Sequence, residues 1–186
     1  MKNITIFGKG NMAKVIAERF TKSRNTVEMF GSKDPVGKIG DIVVLAVPYA
    51  AVASILETNK VELEGKIIVD ITNPVNFGTM DGLVVEADSS AAEEFAQLAP
   101  KASLVKGFNT NFAYTLSGDA NTTVLLASND DQAKATLVES LSGSGLDVVD
   151  AGSLKRAREL EALGFLQITL AIREKISWMG GFTLTK

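Results

Sequence analysis

Short apolar runs and segments with helical periodicity alternate along the 186 residues of the chain. Residues 42–47 are apolar throughout, as expected of a strand buried on both faces. Met12, Val15, Ile16 and Phe20 instead recur at the spacing of an amphipathic helix. We predict strands at residues 4–7, 27–30, 42–47, 67–70, 104–107, 123–127 and 146–149. We predict one helix directly after the turn formed by residues 8–13, and further helices at 49–56, 91–98, 131–141 and 154–176. This order is typical of an α/β protein with a doubly wound, mainly parallel sheet and a C-terminal helix.

The connection between the second and third predicted strands is unusually short. It has about ten residues, 31–40, whereas a parallel crossover normally needs a dozen or more. We therefore expect the sheet to be shortened after strand two, so that strand two lies at the sheet edge and the chain passes over strand one. No linker divides the chain, and we predict one domain over residues 1–186, with 154–186 as C-terminal helix and tail.

The first predicted strand ends in a glycine turn. Gly8, Gly10 and Ala13 have the G-x-G-x-x-[G/A] spacing of a dinucleotide-binding turn, and a helix pattern follows at once. Gly8 permits the tight turn, Gly10 lets the backbone approach a pyrophosphate, and Ala13 lets the helix pack closely. The amino end of that helix favours phosphate. A glycine-rich turn without a ligand is the alternative.

The end of the second strand indicates which dinucleotide is bound. NAD-binding domains carry an acid there for the ribose 2′-hydroxyl. This chain has Gly31, Ser32 and Lys33 instead, a hydroxyl and an ammonium suited to a 2′-phosphate, so we expect NADP. Two alternatives stay open: Ser32 and Asp34 only cap a solvated turn, or the Asp34 carboxylate faces the ribose.

The composition of the chain limits its possible partners, its location and the reactive groups it can use. The net charge is −3, and the basic residues are scattered, so we expect no nucleic-acid partner. Without a long apolar run or a signal pattern, we expect no membrane segment and a cytoplasmic location. The chain has no cysteine and no histidine, which excludes thiol chemistry, the commonest general base and ordinary zinc sites.

Few residues could donate a proton to a carbonyl substrate, so the catalytic acid or base is unknown. Tyr49 and Tyr114 form no recognisable donor pair. Lys106 and Lys155 stay open as donors, but we expect both to be solvated surface lysines. Hydride transfer to a flavin-like ring needs no proton donor from the protein, because the ring delocalises charge and solvent supplies the proton. The sequence therefore favours a planar redox acceptor.

Six segments together carry a family resemblance: Gly8-x-Gly10-Asn11-Met12, Gly31-Ser32-Lys33, Ala46-Val47-Pro48, Asp70-x-x-Asn73-Pro74, Phe108-Asn109-Thr110 and Ala157-Arg158-x-Leu160-Glu161. In this order they resemble the NADP reductases that use the deazaflavin coenzyme F-420, and the cytoplasmic reductase domain of animal ferric reductases. The resemblance implies a Rossmann domain that binds NADP(H) and passes hydride to a small planar acceptor, such as a flavin or deazaflavin. The chain departs from the family in its missing segment after strand two, and in a lysine where arginine is common.

The resemblance also implies roles for individual residues. Residues 9–12 would hold the pyrophosphate, and Ser32 with Lys33 the 2′-phosphate. Val47, Pro48 and Tyr49 would border the nicotinamide ribose, while Asn73, Phe108 and Asn109 would lie by the nicotinamide. The predicted cofactor-binding residues are Gly8, Lys9, Gly10, Asn11, Met12, Ser32, Lys33, Ala46, Val47, Pro48, Tyr49, Asn73, Pro74, Phe108 and Asn109.

Other functions and assemblies stay open at this point. A non-catalytic NADP sensor, or a small imine or keto-acid reductase, would also fit the turn. The last helix has a broad apolar face, and the tail contains Trp178 and Phe182. These features suit either packing on the domain or a homodimer in which the helix or tail covers the partner's site.

Overall fold

Seven strands form one sheet in the computed structural model, which describes residues 1–118, 122–182 and 184. The strands are β1 (Asn3–Phe7), β2 (Thr26–Phe30), β3 (Ile42–Leu45), β4 (Ile67–Asp70), β5 (Ser103–Lys106), β6 (Thr122–Ala127) and β7 (Leu146–Gly152). Their order is β2-β1-β3-β4-β5-β6-β7. Only the β5–β6 pair among them is antiparallel. The predicted Rossmann-like, mainly parallel sheet is confirmed.

The short connection after β2 has the predicted consequence. β2 is an edge strand, and β1 lies between β2 and β3, with Ile4 opposite both Val27 and Ile42. The residues between β2 and β3 are all described, and they pass over β1 without forming a helix. As a result, the turn that follows β1 lies between the carboxyl ends of β2 and β3.

The helices cover both faces of the sheet. They are α1 (Asn11–Lys22), α2 (Tyr49–Thr58), α3 (Ala91–Leu98), α4 (Ala113–Ser117), α5 (Asp131–Ser140) and α6 (Ala157–Ile172), the last preceded by a 3-10 turn at Leu154–Arg156. One apolar cluster joins α1 and α5 to side chains such as Ile4 and Val44. The other joins α2 and α3 to Val43 and Leu45. Within the described ranges, no helix combines the length and apolarity needed to cross a membrane.

Two helix predictions differ from the structure. The short helix α4 was not predicted, and the last helix ends at Ile172 rather than at residue 176. Glu174 has a left-handed φ of +56°. Its N–H binds the carbonyl of Ala171, and the N–H of Lys175 binds that of Leu170 at 2.8 Å. This Schellman arrangement terminates the helix. Positions 183, 185 and 186 of the predicted tail lie outside the described residues.

Candidate functional site

The glycine turn is fixed between two neighbouring strands. Gly8 donates its N–H to the carbonyl of Phe30 at 2.7 Å, at the end of β2. A Cβ atom on Gly8 would lie 2.1 Å from the carbonyl oxygen of Ala46, and its φ is +120°. Only glycine fits a position with both constraints. Of the predicted site residues, Ala46 thus contacts the turn itself.

Gly10 and the amino end of α1 present open backbone. A Cβ on Gly10 would have nothing within 4 Å. Among the described residues no side chain caps α1, and its first turn contains no acid. Unpaired N–H groups and the helix dipole make such an end suitable for an anion. The turn therefore fits the pyrophosphate of a dinucleotide.

Two cavities of about 420 Å³ each flank the glycine turn. The first, which we call the β2 cavity, includes Gly8 and lies between the ends of β2 and β3 and helix α2. The second, the β5 cavity, includes Asn11 and Met12 and extends over the ends of β4 and β5 to α4 and α6. The turn thus lies between two spaces at the carboxyl edge of the sheet, where doubly wound folds bind ligands.

The β2 cavity has apolar walls and a polar rim. Its walls include Phe7, Phe30, Val47, Pro48 and Ile55. Val47 and Pro48, predicted to border the nicotinamide ribose, thus line this cavity and not the β5 cavity. On the rim, Ser32 lines the cavity, and Lys33 is exposed at the next position.

Asp34 and Lys9 meet on this rim. The Asp34 carboxylate accepts from the N–H of Gly31 at 2.7 Å and pairs with the Lys9 ammonium at 2.6 Å. The hydrogen bond from Lys9 is the main cause that lowers the pKa of Asp34, and the Gly31 N–H adds to it. Asp34 therefore caps the turn, which is one of the two alternatives that the sequence left open for this residue. Lys9, predicted at the pyrophosphate, reaches toward the end of β2.

Tyr49 contacts α3 through its hydroxyl. That hydroxyl donates to Glu94 at 2.9 Å, and the ring packs on Phe95. Burial is the largest cause that raises the pKa of Tyr49 to about 12, followed by the hydrogen bond to Glu94 and nearby carboxylates. A phenol with this pKa is a weak acid at neutral pH. The hydroxyl proton of Tyr49 is thus engaged by Glu94.

Asn73 and Asn109 meet in the β5 cavity, although 36 residues separate them in sequence. The Asn73 amide donates to the backbone carbonyl of Asn109 at 2.8 Å, and the Asn109 amide donates to Asn73 Oδ1 at 2.9 Å. Asn109 also donates to the Leu160 carbonyl of α6 at 2.8 Å. Helix α6 approaches through Gly164, where a Cβ would lie 2.5 Å from Asn73 Oδ1. Both side chains are thus held in fixed orientations.

The backbone around this amide pair is also constrained. Phe108 is fully buried and has a left-handed φ of +61°. Such a conformation is costly for a bulky residue, and it occurs often at functional sites. Pro74 is buried beside Asn73. The ends of β4 and β5 are therefore shaped by local geometry as well as by hydrogen bonds.

Asn111 is a polar residue of the β5 cavity that the sequence did not single out. Its amide donates to the carbonyl of Thr123 at 2.9 Å. Its buried Oδ1 has no partner among the described residues. The only sequence signal was its position two residues after Asn109, which does not separate it from an ordinary loop asparagine.

Aromatic side chains form one side of the β5 cavity. Phe77, Phe108, Phe112, Tyr114 and Trp178 line it. Trp178 belongs to the C-terminal tail, and its ring lies 4.9 Å from that of Phe112. The tail is held on the chain by hydrogen bonds from Thr115 to Gly180 and from the Phe182 N–H to Gln167. The tail therefore lies over the cavity of its own chain.

Lys106 forms a buried ion cluster, so its interpretation as a solvated surface lysine was wrong. Its ammonium is fully buried and contacts Asp70 at 2.7 Å, Glu161 at 2.8 Å and the carbonyl of Thr72 at 2.6 Å. Glu161 also accepts from the N–H of Ala91 at the start of α3. Burial raises the pKa of Glu161, and Lys106 opposes this effect. Apolar neighbours in sequence concealed the cluster, which lies at the ends of β4 and β5. Lys155 is exposed, as expected.

Comparisons with known proteins identify the family and agree with the fold. The family model "NADP oxidoreductase coenzyme F420-dependent" matches residues 26–74. The F420-dependent NADP reductase of Methanocaldococcus jannaschii is 30% identical over 151 residues, which cover 77% of this chain and 67% of that protein. The metalloreductase STEAP3 of Rattus norvegicus is 29% identical over 184 residues, and the match covers 86% of this chain but 36% of that protein. A solved structure from Arthrobacter sp. FB24 shares the fold with a TM-score of 0.80, at 24% identity, over 95% of this chain and 96% of that one.

Proposed function

The chain belongs to the family of coenzyme F420-dependent NADP oxidoreductases, and on this basis we propose that it transfers hydride between NADP(H) and a flavin-like or deazaflavin-like planar acceptor. The observation that carries this proposal is the pair of similar cavities on either side of the glycine turn. A dinucleotide has the matching shape, with one ring system on each side of its pyrophosphate.

The glycine turn supports binding of the cofactor. The open space at Gly10 and the uncapped start of α1 suit the pyrophosphate, while the apolar walls of the β2 cavity suit adenine. Ser32 and Lys33 would hold the 2′-phosphate at the end of β2. When bound, NADPH would supply the hydride. The residues of this chain would then hold the adenosine and nicotinamide ends of NADPH and exclude water.

The β5 cavity supports a planar acceptor. Its amides, Asn73 and Asn109, are fixed by the chain and would orient the carboxamide of the nicotinamide. Its aromatic side chains offer flat apolar surface on which a ring stacks. Tyr49 lines neither cavity, and its hydroxyl donates to Glu94. The flat apolar surface of the β5 cavity therefore favours a planar acceptor over a small carbonyl substrate.

A screen of acceptors tests the reaction. Purified protein is mixed with NADPH and, in separate samples, with FMN, FAD, a deazaflavin, ferric chelates, quinones and a cyclic imine, and the loss of reduced nicotinamide absorbance is followed. We expect turnover with a flavin or deazaflavin and none with the imine. Tight NADPH binding without turnover of any acceptor would contradict the proposed activity and favour the sensor.

Lys33→Ala tests the choice of cofactor. Loss of a charge-assisted hydrogen bond to the 2′-phosphate should weaken NADPH binding by about 1–3 kcal/mol and change NADH binding little. Isothermal titration calorimetry with both nucleotides measures this. Lys38→Ala, an exposed lysine in the same loop, is the matched control. Equal losses for the two cofactors would show that Lys33 serves the fold or the pyrophosphate.

A further inference from the structure

An ion pair lies at the rim of the β2 cavity. Lys9, the second residue of the glycine turn, extends to the end of β2, and its Cδ would lie 3.6 Å from a Cβ built on Gly31. Its ammonium is 2.6 Å from Asp34 Oδ2. The same oxygen accepts the Gly31 N–H at 2.7 Å. A single carboxylate oxygen thus takes two donors, one from the turn and one from the strand end.

The position of this ion pair bears on how the cofactor binds. The end of β2 is where a doubly wound sheet meets the adenosine ribose of a dinucleotide. A backbone N–H and an ammonium that converge on one anionic oxygen also suit a phosphate oxygen. The donors that Asp34 occupies are therefore donors that a 2′-phosphate would use.

The pair is also able to open. The side chains of Lys9 and Asp34 are 54% and 39% exposed. An ion pair in contact with water is weakly held, because both charges are well solvated when they separate. A phosphate with up to two negative charges competes well for the same donors. Displacement of the Asp34 carboxylate needs only a rotation of one exposed side chain.

We propose that Asp34 is a specificity-determining residue that occupies the 2′-phosphate site as an internal anion, and that NADPH binds by displacing it from Lys9 and Gly31. This inference rests on the proposed NADP(H) binding. Lys9 then serves as a second cation for the phosphate, beside Lys33. NADH brings no phosphate, so it leaves the pair closed. The charge of Asp34 therefore disfavours NADPH and leaves NADH almost unaffected.

Asp34→Asn tests this inference. Asparagine keeps the size of the side chain and an oxygen for the Gly31 N–H, but it removes the charge. We expect the Kd for NADPH to fall about 5- to 20-fold, because repulsion of the phosphate is lost, while the Kd for NADH stays within about twofold. Lys9→Met should do the reverse and weaken NADPH more than NADH.

Controls separate this effect from others. Glu139→Gln removes the same charge on α5, which packs away from both cavities, and should leave both Kd values unchanged. Thermal melts of each variant check folding.

Three outcomes would contradict the inference. If the ratio of the two Kd values is unchanged in Asp34→Asn, the inference is overturned, but the proposed binding of NADP(H) is not affected. The ratio of the Kd for NADH to the Kd for NADPH could also rise only because NADH binds more weakly. That result would overturn the inference too, since Asp34 would then hold the ribose hydroxyls. If the wild-type protein bound neither nucleotide, both the inference and the proposed function would fail.

Discussion

Two glycines of one turn are constrained in opposite ways. Gly8 is required by the fold, because any side chain would meet the carbonyl of Ala46 and the backbone is left-handed. Gly10 has open space around it and an ordinary φ of −74°, so its protein surroundings place no demand for glycine there. The need for Gly10 comes instead from the proposed ligand.

Substitution of the two glycines should therefore separate stability from binding. Gly8→Ala should lower the free energy of unfolding by about 2–4 kcal/mol, from backbone strain and the clash with Ala46. Gly10→Val should leave unfolding in urea nearly unchanged and abolish NADPH binding. A folded Gly10→Val protein with normal NADPH affinity would remove the basis for placing the pyrophosphate at this turn.

The amide pair of Asn73 and Asn109 makes a second prediction about single residues. Asn109→Ala removes the hydrogen bonds to Asn73 Oδ1 and to the Leu160 carbonyl of α6 and leaves only the backbone carbonyl for Asn73, so the nicotinamide would lose its orientation. We expect the rate of hydride transfer to fall about 10- to 100-fold, while the Kd for NADPH changes less than about threefold. Stopped-flow and binding measurements check this.

A matched variant controls for simple loop damage. Asn129→Ala removes a loop side chain whose Oδ1 accepts from the N–H of Leu154, and Asn129 lines neither cavity. It should leave the rate unchanged. If Asn109→Ala lost thermal stability but kept its rate per folded molecule, Asn109 would belong to the turn alone.

Among the strands and helices, four are connected by one buried charge cluster. Lys106 at the end of β5 contacts Asp70 of β4 and Glu161 of α6, and Glu161 accepts from the first N–H groups of α3. Glu161 follows Leu160, whose carbonyl accepts from the Asn109 amide. The cluster thereby ties the elements that carry the β5 cavity to the helix that covers it.

Lys106→Met should reveal how strongly the cluster holds these elements. Removal of the cation leaves two buried carboxylates without their common partner, and we expect a loss of about 3–5 kcal/mol in the free energy of unfolding. Lys101→Met, which breaks an exposed pair with Glu64, is the control and should cost less than about 1 kcal/mol. Urea denaturation measures both. Similar losses in the two variants would contradict the assigned role of the cluster.

For the molecule as a whole, exposed apolar side chains on α6 and the tail bear on assembly. Leu166 and Ile172 of α6 are each 49% exposed, and Trp178 is 48% exposed. Helix α6 therefore keeps part of its apolar face in water, although the tail covers the chain's own cavity. The predicted homodimer would use this face.

Sedimentation equilibrium tests the homodimer. We expect a dimer for the wild-type protein and a monomer for Leu166→Glu, because a buried charge would be left at the interface. Val138→Glu on α5, also an exposed apolar position, should stay dimeric. A wild-type monomer at high concentration would contradict the prediction.

The elements and their order could be read from the amino-acid sequence. Short apolar runs predicted the seven strands, and helical periodicity predicted five of the six helices in the described ranges, because both are local patterns of the sequence. The short connection after β2 also predicted the edge strand, since too few residues are present for another crossover unit. The glycine turn was readable because its spacing falls within one strand, turn and helix, although the contacts of Gly8 with Phe30 and Ala46 come from neighbouring strands.

Which side chains meet depends on the packing of the elements. Asn73 and Asn109 were both placed near the nicotinamide from sequence, but their mutual hydrogen bonds depend on β4 and β5 being neighbours. Lys106 is a charged residue at a strand end, and its burial follows from carboxylates supplied by β4 and α6. The pair of Lys9 with Asp34 depends on β1 and β2 being adjacent. Distances between residues far apart in the chain are set by how the elements pack, and the sequence pattern of one element does not show which side chains of another it will meet.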